Sequence, residues 1–269
     1  MADPSPVARE RPLEGLAVLV TRPADQAEGL CALLEAAGAR PVRLPLLEIE
    51  PLGQEAPAAE LLRRSGHWDW LIFVSANAVR YALDLSGGAS WASARTRVAA
   101  VGAATARALA AAGIQVDLIP KAQFNSESLL AAPEMAEMAG RRVLIVRGEG
   151  GRELLAEALR ARGAALAYAE VYRRRRAEVD AAALAALWGS GGIGLAVATS
   201  GEVLDHLMAI LGEAGVAFAV STPLAVIGAR VGRLARDRGW RQVIVAEQAS
   251  DAELAEAIVR YFRDRGSQR

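Results

Sequence analysis

The second half of this chain echoes the first at a nearly constant offset. A shift of 125 residues, Arg22 to Arg147, carries Val18-Leu19-Val20-Thr21-Arg22 onto Val143-Leu144-Ile145-Val146-Arg147. The same shift takes Leu30, Leu34, Gly38 and Ala39 onto Leu155, Leu159, Gly163 and Ala164, and Ser75 onto Ser200. One residue further on, Val101-Gly102-Ala103 meets Ile227-Gly228-Ala229 and Gly113 meets Gly239. Solenoid repeats run to about 20–50 residues, so this spacing is a duplicated α/β unit and not a repeat array. Two copies imply two similar lobes with a cleft between them.

A chain of 269 residues suits two domains, each large enough for its own core. Its charges balance at 31 basic against 31 acidic residues, so no net field draws it to nucleic acid or an anionic membrane. An acidic ligand would have to be held by local groups. The lone Cys31 excludes an internal disulfide and fits a reducing compartment. It lies among Leu30, Leu33 and Leu34 on a helical pattern, which reads as a buried structural thiol. Met1 to Arg11 is Pro-rich and lacks an apolar core, so it reads as a frayed tail and not a signal peptide. No stretch approaches the ~20 apolar residues of a membrane span. The expectation is a cytoplasmic, soluble protein.

Short β-branched runs alternate with amphipathic segments, the pattern of parallel α/β sheets. The first copy predicts strands at Leu16–Thr21, Leu71–Val74, Val98–Val101 and Gln115–Ile119. Its helices fall at Ala24–Ala37, Ala76–Leu85 and Ala103–Ala112, with a short one from Ser126. The second copy predicts strands at Val143–Val146, Gly194–Ala198, Leu224–Ile227 and Gln242–Ala246. Helices follow at Arg152–Arg162, Gly201–Leu211, Ala229–Arg238 and Asp251–Arg265. Arg40–Leu52 and Ala164–Arg176 read as extended connectors. Pro41, Pro45 and Pro51 argue against a central strand in the first. In the second, a period of two puts Leu166, Tyr168, Glu170 and Tyr172 on one face.

Familiar catalytic constellations are missing. His67 and His206 have no ligand partner at metal-binding spacing, so no metal site is expected. Gly148-Glu149-Gly150-Gly151 lacks the third glycine of a dinucleotide loop, and Glu149 would oppose a pyrophosphate. What the chain has instead is a set of small-polar turns at strand carboxyl ends, each opening a helix. They are Thr21-Arg22-Pro23, Ser75-Ala76-Asn77, Gly102-Ala103-Ala104-Thr105, Arg147–Arg152 and Thr199-Ser200-Gly201. Ligands of open α/β sheets bind along this edge, where helix N-termini offer free N–H donors to anions. The same Ser and Thr residues also suit plain N-caps, and pattern alone does not separate the two roles. Tyr172 is either a buried hinge aromatic or a phenol facing the ligand. Arg173–Arg176 reads as a solvated face or the rim of a cleft.

Taken together, the segments VLVTRP (Val18–Pro23), IFVSANAV (Ile72–Val79), VGAATA (Val101–Ala106), NSESLL (Asn125–Leu130), VLIVRGEGGRELL (Val143–Leu155) and VYR (Val171–Arg173) resemble the uroporphyrinogen-III synthase family. The resemblance runs from about Leu13 to Phe262. It implies two flavodoxin-like, doubly wound parallel-sheet lobes joined by a two-stranded connector, with an inter-domain cleft. One domain would hold residues 1–46 and 174–269, the other 52–168. It also implies cyclisation of hydroxymethylbilane, a polycarboxylate linear tetrapyrrole, with inversion of the last ring and loss of water. No cofactor or metal takes part. Tyr172 matches the family's functional tyrosine, and Ser75, Thr105 and Ser200 fall on substrate-contact positions. The same turns add Arg22, Ala76, Asn77, Gly102, Ser126, Arg147 and Gly201. Where the family often keeps a hydroxyl after the second Ile-Gly turn, this chain has Arg230 and Val231, so a contact there falls to the Arg230 guanidinium. The expected partner is the substrate, handed over by hydroxymethylbilane synthase to a monomer. Nucleic acid and membrane are not expected. The competing expectation is a non-catalytic two-lobed binder of an anionic small molecule.

Overall fold

A computed structural model describes residues 11–87, 91, 95–120, 125–151 and 153–266. The tail reading of residues 1–10 and the helix start at Arg152 lie outside the described residues. From the amino end, the chain forms β1 (Ala17–Val20), α1 (Ala24–Ala36), β2 (Arg40–Arg43), β3 (Leu47–Pro51) and α2 (Pro57–Arg63). There follow β4 (Trp70–Phe73), α3 (Ala76–Ser86), β5 (Arg97–Ala100), α4 (Ala103–Ala111) and α5 (Ser126–Leu130). Next come β6 (Arg142–Gly148), α6 (Leu154–Ala161), β7 (Ala165–Arg176), α7 (Ala181–Gly189) and β8 (Leu195–Ala198). The chain ends with α8 (Gly201–Ala219), β9 (Leu224–Ile227), α9 (Gly228–Asp237), β10 (Val243–Ala246) and α10 (Asp251–Gly266). It divides into two units, one running up to Glu48 and resuming at Arg175, the other Ile49–Arg174.

The sheet of the first unit runs β10-β9-β8-β1-β2, with every neighbouring pair parallel. Both its faces are buried, as a parallel sheet requires. Leu19, Ala196 and Ala198 face a core with Leu184 and Trp188 of α7 and Leu204 and Leu207 of α8. Val18, Val20 and Val197 face the opposite core, with Leu30 and Leu34 of α1 and Leu254 and Ile258 of α10. Each fully buried Leu or Val contributes roughly 1.5–3 kcal/mol relative to exposure. Pro41 sits in β2, the edge strand, where a missing N–H costs no ladder bond. α8 extends past the predicted Leu211. Gly212, at φ 61 and ψ −177, breaks it into two helical segments at a conformation that disfavours side-chain-bearing residues.

The second unit's sheet runs β3-β7-β6-β4-β5. Leu71, Phe73, Leu144 and Val146 face a core shared with Val79, Ala82 and Leu85 of α3 and Leu109 of α4. Trp70, Ile72, Val143 and Ile145 face the other core, with Leu129 of α5 and Leu155 and Leu159 of α6. The predicted strand Gln115–Ile119 shrinks to one parallel bridge, Ala99 to Leu118. There the Asp117 carboxylate accepts the Val98 N–H at 2.7 Å, and Pro120 has no N–H to continue a ladder. The predicted connector Arg40–Leu52 instead holds two strands, β2 and β3. Helices α2 and α7 are additions that the periodicity did not predict.

The sequence repeat maps strand onto strand. β2-β1-β8-β9-β10 corresponds, position by position, to β7-β6-β4-β5 and the Leu118 bridge, with β3 added outside β7. Each sheet therefore takes strands from both copies of the repeat.

Candidate active site

In the second unit the chain leaves β4 toward β5 on one side, and leaves β6 toward β7 on the other. Where connections diverge like this, the strand carboxyl ends open a crevice. A pocket of about 300 Å³ lies there, lined among others by Ser75, Ser126, Arg147, Gly148, Tyr172 and Arg174.

Tyr172 is placed by a break in register. β6 and β7 pair Arg147 with Glu170 and then Gly148 with Tyr172, passing over Val171. That irregularity ends the alternation expected along β7. Leu166 and Tyr168 pack on the α5–α6 side, whereas Tyr172 turns to the α3–α4 core beside Val171. The expectation that all four of Leu166, Tyr168, Glu170 and Tyr172 share a face is corrected here, because an extra residue in one strand shifts the pleat. The ring, 2% exposed, lies 5.5 Å from that of Tyr81, centroid to centroid. A Cβ on Gly148 would stand 2.4 Å from Cε2 of Tyr172, so only glycine leaves room for the ring. The phenol oxygen is 3.3 Å from Ser75 Oγ, which also accepts the Ala78 N–H at 3.1 Å as the N-cap of α3.

Arg147, 6% exposed, is anchored by carboxylates. Its guanidinium is 2.9 Å from Glu153 and 3.3 Å from Glu170, and lies 4.1 Å from the ring centre of Tyr168. Tyr168 donates its hydroxyl hydrogen bond to Glu153. That bond, and then Arg147, hold the Glu153 carboxyl below the ordinary carboxylate range. Burial and the Glu153 carboxylate push the Tyr168 phenol up. Tyr168 is thus a neutral donor to an ionised Glu153 at neutral pH.

Of the sequence-predicted residues, the pocket gathers Ser75, Ser126, Arg147 and Tyr172. Ala76 and Asn77 form the first turn of α3 beside it. Gly102 is the N-cap of α4, and Thr105 is buried on that helix. The remaining four belong to the first unit. Ser200 caps α8 by accepting the Val203 N–H at 3.2 Å. Gly201 is buried, and a Cβ on it would meet Leu234 at 2.8 Å. Arg22, 13% exposed at its side chain, is ion-paired with Asp251. Arg230 is exposed on the first turn of α9. Turn chemistry included Gly148 in Arg147–Arg152 and charge patterning included Arg174 in Arg173–Arg176, without assigning either a role of its own; Glu153 and the ion-pairing of Glu170 were not foreseen. Arg174 and Glu170 each stand two residues from Tyr172 along a strand, which is the signal that could have found them. His206 is buried with Nδ1 2.8 Å from the Leu46 carbonyl oxygen, a structural contact. Among the described residues, no three His, Cys, Asp or Glu side chains are grouped to hold a metal ion, and no helix is long and apolar enough to cross a membrane.

The family model for uroporphyrinogen-III synthase HemD matches residues 28–256. The chain is 34% identical over 247 residues to uroporphyrinogen-III synthase of Escherichia coli K12, covering 90% of this chain and 100% of that one. It is 36% identical over 248 residues to the Salmonella typhimurium enzyme of that name, with the same coverage. Its fold is similar to that of a mutant uroporphyrinogen III synthase from the extremely thermophilic bacterium Thermus thermophilus, with a TM-score of 0.63, 19% identity, and coverage of 93% of this chain and 100% of that one. The duplicated α/β pattern, the turn segments and a family match across most of the sequence converge, and the chain belongs to the uroporphyrinogen-III synthase family.

Proposed function

We propose that this protein cyclises hydroxymethylbilane to uroporphyrinogen III, inverting the last ring and expelling water. The observation that carries this reading, beside family membership, is a phenol buried at the switch-point pocket with its oxygen 3.3 Å from Ser75 Oγ. Expulsion of the substrate hydroxyl needs a proton at that oxygen, and Tyr172 donates it as water leaves. The azafulvenium cation left behind is attacked by the substituted α carbon of the last ring. The bond from that carbon to its existing methylene bridge then breaks, and the free α carbon of the same ring closes on the cation so released, which inverts the ring. Loss of a proton from the ring system completes a redox-neutral sequence that calls for neither metal nor cofactor. Free in water, the substrate closes without inversion. The protein's task is therefore to hold one fold of a flexible polyanion and to place dipoles where charge develops.

Helix N-termini suit that task, because their N–H groups bind carboxylates without introducing a base that would trap the cation. We extend the reading to flavodoxin-like lobes joined by β3 and β7. In it the turns bearing Ser75, Ala76, Asn77, Gly102, Thr105 and Ser126 in the second unit, and Arg22, Ser200, Gly201 and Arg230 in the first, are each candidate substrate contacts. Arg22 and Arg147 enter as anchored cations, since each already holds a carboxylate. Cys31, buried and unpaired by any other cysteine, supports work in the reducing cytoplasm. The test is incubation of the purified chain with hydroxymethylbilane and separation of the isomers formed. Isomer III, produced faster than spontaneous closure, is expected. Isomer I alone, at the uncatalysed rate, overturns the proposal.

A further inference from the structure

The register break that turns Tyr172 into the pocket also sorts the arginines after it. Arg173 and Arg175 face Glu50 and Glu48 of β3, at 4.0 and 3.2 Å. Arg174, on the alternate face, lines the pocket with Tyr172. Among the described residues no carboxylate stands within ion-pair distance of it. Its Nη2 donates to the Tyr172 phenol oxygen at 3.5 Å, and its guanidinium carbon lies 5.9 Å from the ring centre. The pocket's other guanidinium, Arg147, is buried and held by two carboxylates. The pocket thus contains one cation committed to the protein and one, exposed and loosely held, whose charge is open to a ligand.

Resting on the synthase reading, we infer that Arg174 is a substrate-binding residue that takes a carboxylate of the tetrapyrrole and seats it beside the Tyr172 phenol. A planar guanidinium grips a carboxylate through two parallel N–H bonds, which fixes orientation as well as distance. A carboxylate docked there would place its pyrrole ring against the phenol. The same guanidinium, by donating to the phenol oxygen, leaves the phenol's own proton free for the leaving hydroxyl.

Two readouts test this. The first needs no turnover: binding of uroporphyrin III, a stable polycarboxylate relative of the product, followed by quenching of porphyrin fluorescence. Arg174→Gln is expected to weaken that binding by about 10- to 100-fold, the scale of one charge-assisted pair. Arg174→Lys should recover part of the loss by keeping the charge without the fork. Arg175→Gln, whose partner is Glu48, should bind within about twofold of the wild type. The second readout is steady-state kinetics, where Arg174→Gln should raise KM for hydroxymethylbilane by a similar factor and change kcat less. Equal binding by wild type and Arg174→Gln, both with unchanged circular dichroism, overturns the inference. An Arg175→Gln loss as large as that of Arg174→Gln overturns it too, since the effect would then be one of general charge. A wild type that binds uroporphyrin III through Arg174 yet forms no isomer III would sink the synthase reading while leaving this one standing.

Discussion

Gly148 has no side chain because the Tyr172 ring occupies the space where one would be. A methyl there overlaps Cε2 and Cζ at 2.4 and 2.5 Å, both belonging to a ring packed on two sides and unable to swing away freely. Gly148→Ala should therefore cost about 1–3 kcal/mol, the usual range for overpacking, and should move the phenol from Ser75. Tyr172→Phe keeps the packing and removes only the hydroxyl, and should lower turnover by roughly 10- to 1,000-fold, the scale of assisted proton transfer. If Gly148 acts through Tyr172, adding Gly148→Ala to Tyr172→Phe costs little further turnover, although the stability loss remains. Kinetics and thermal melts on the two single variants and the double variant check this. Multiplying rate losses would show that Gly148 acts elsewhere. Tyr172 was legible in the sequence as an aromatic on an extended segment. Its face was not, because the extra residue at Val171 is a property of the pairing with β6 and leaves no mark on β7 alone.

The turn after β6 has a counterpart in the first unit. The offset of 125 that links Arg22 to Arg147 also links Glu28 to Glu153 and Arg43 to Tyr168. Both pairs are in contact, Glu28 with Arg43 at 2.7 Å and Glu153 with Tyr168 by a hydrogen bond. One scaffold position thus ties helix to strand by an ion pair in one unit and by a phenol in the other. Both carboxyls lie below their ordinary values, Glu28 through its bond to Arg43 and Glu153 through its bond to Tyr168. A carboxyl lowered by folding stabilises the protein above its unfolded value, roughly 4, and that contribution is lost as pH falls through the lowered folded value. A phenol raised by folding behaves oppositely, so the Tyr168 contribution fades as pH climbs from about 10. Glu153→Gln should melt a few degrees below the wild type at pH 7, and the gap should narrow toward pH 3. A gap constant across that range would remove Glu153 from the acid limb. At this scale the sequence was readable wherever an element carried its own period, as in α1, α10 and the strands after each turn. It was not readable at α7, whose run AAALAALWG is apolar all round, nor at Leu118, where a carboxylate on the preceding residue displaces a strand bond.

At the scale of the whole chain, the unit of repetition and the unit of packing differ. One copy of the repeat supplies β1 and β2 to the first sheet, and β3, β4 and β5 to the second; the other copy supplies β8, β9 and β10 to the first, and β6 and β7 to the second. The repeat was visible in the sequence because it preserves local residues such as Arg22 and Arg147. The exchange was not visible in the repeat itself, because strand partnership depends on contacts distant in sequence; only the family resemblance implied discontinuous domains. All four cores obey the packing units: two consist wholly of residues between Ile49 and Arg174, and the other two lie wholly outside that span. A piece of chain that keeps both faces of its sheet covered can fold alone, whereas one that leaves two half-sheets uncovered exposes apolar strands with no partner. The contiguous segment 49–174 should accordingly unfold in one cooperative thermal transition when expressed by itself. Residues 1–137, a whole copy of the repeat, should show no such transition, since they would carry β1 without β8 and β4 without β6, leaving each sheet cut through its middle. Circular dichroism melts of the two fragments decide between the alternatives. Cooperative folding of 1–137 together with a featureless melt for 49–174 would mean that the ancestral copy, and not the exchanged unit, is what folds.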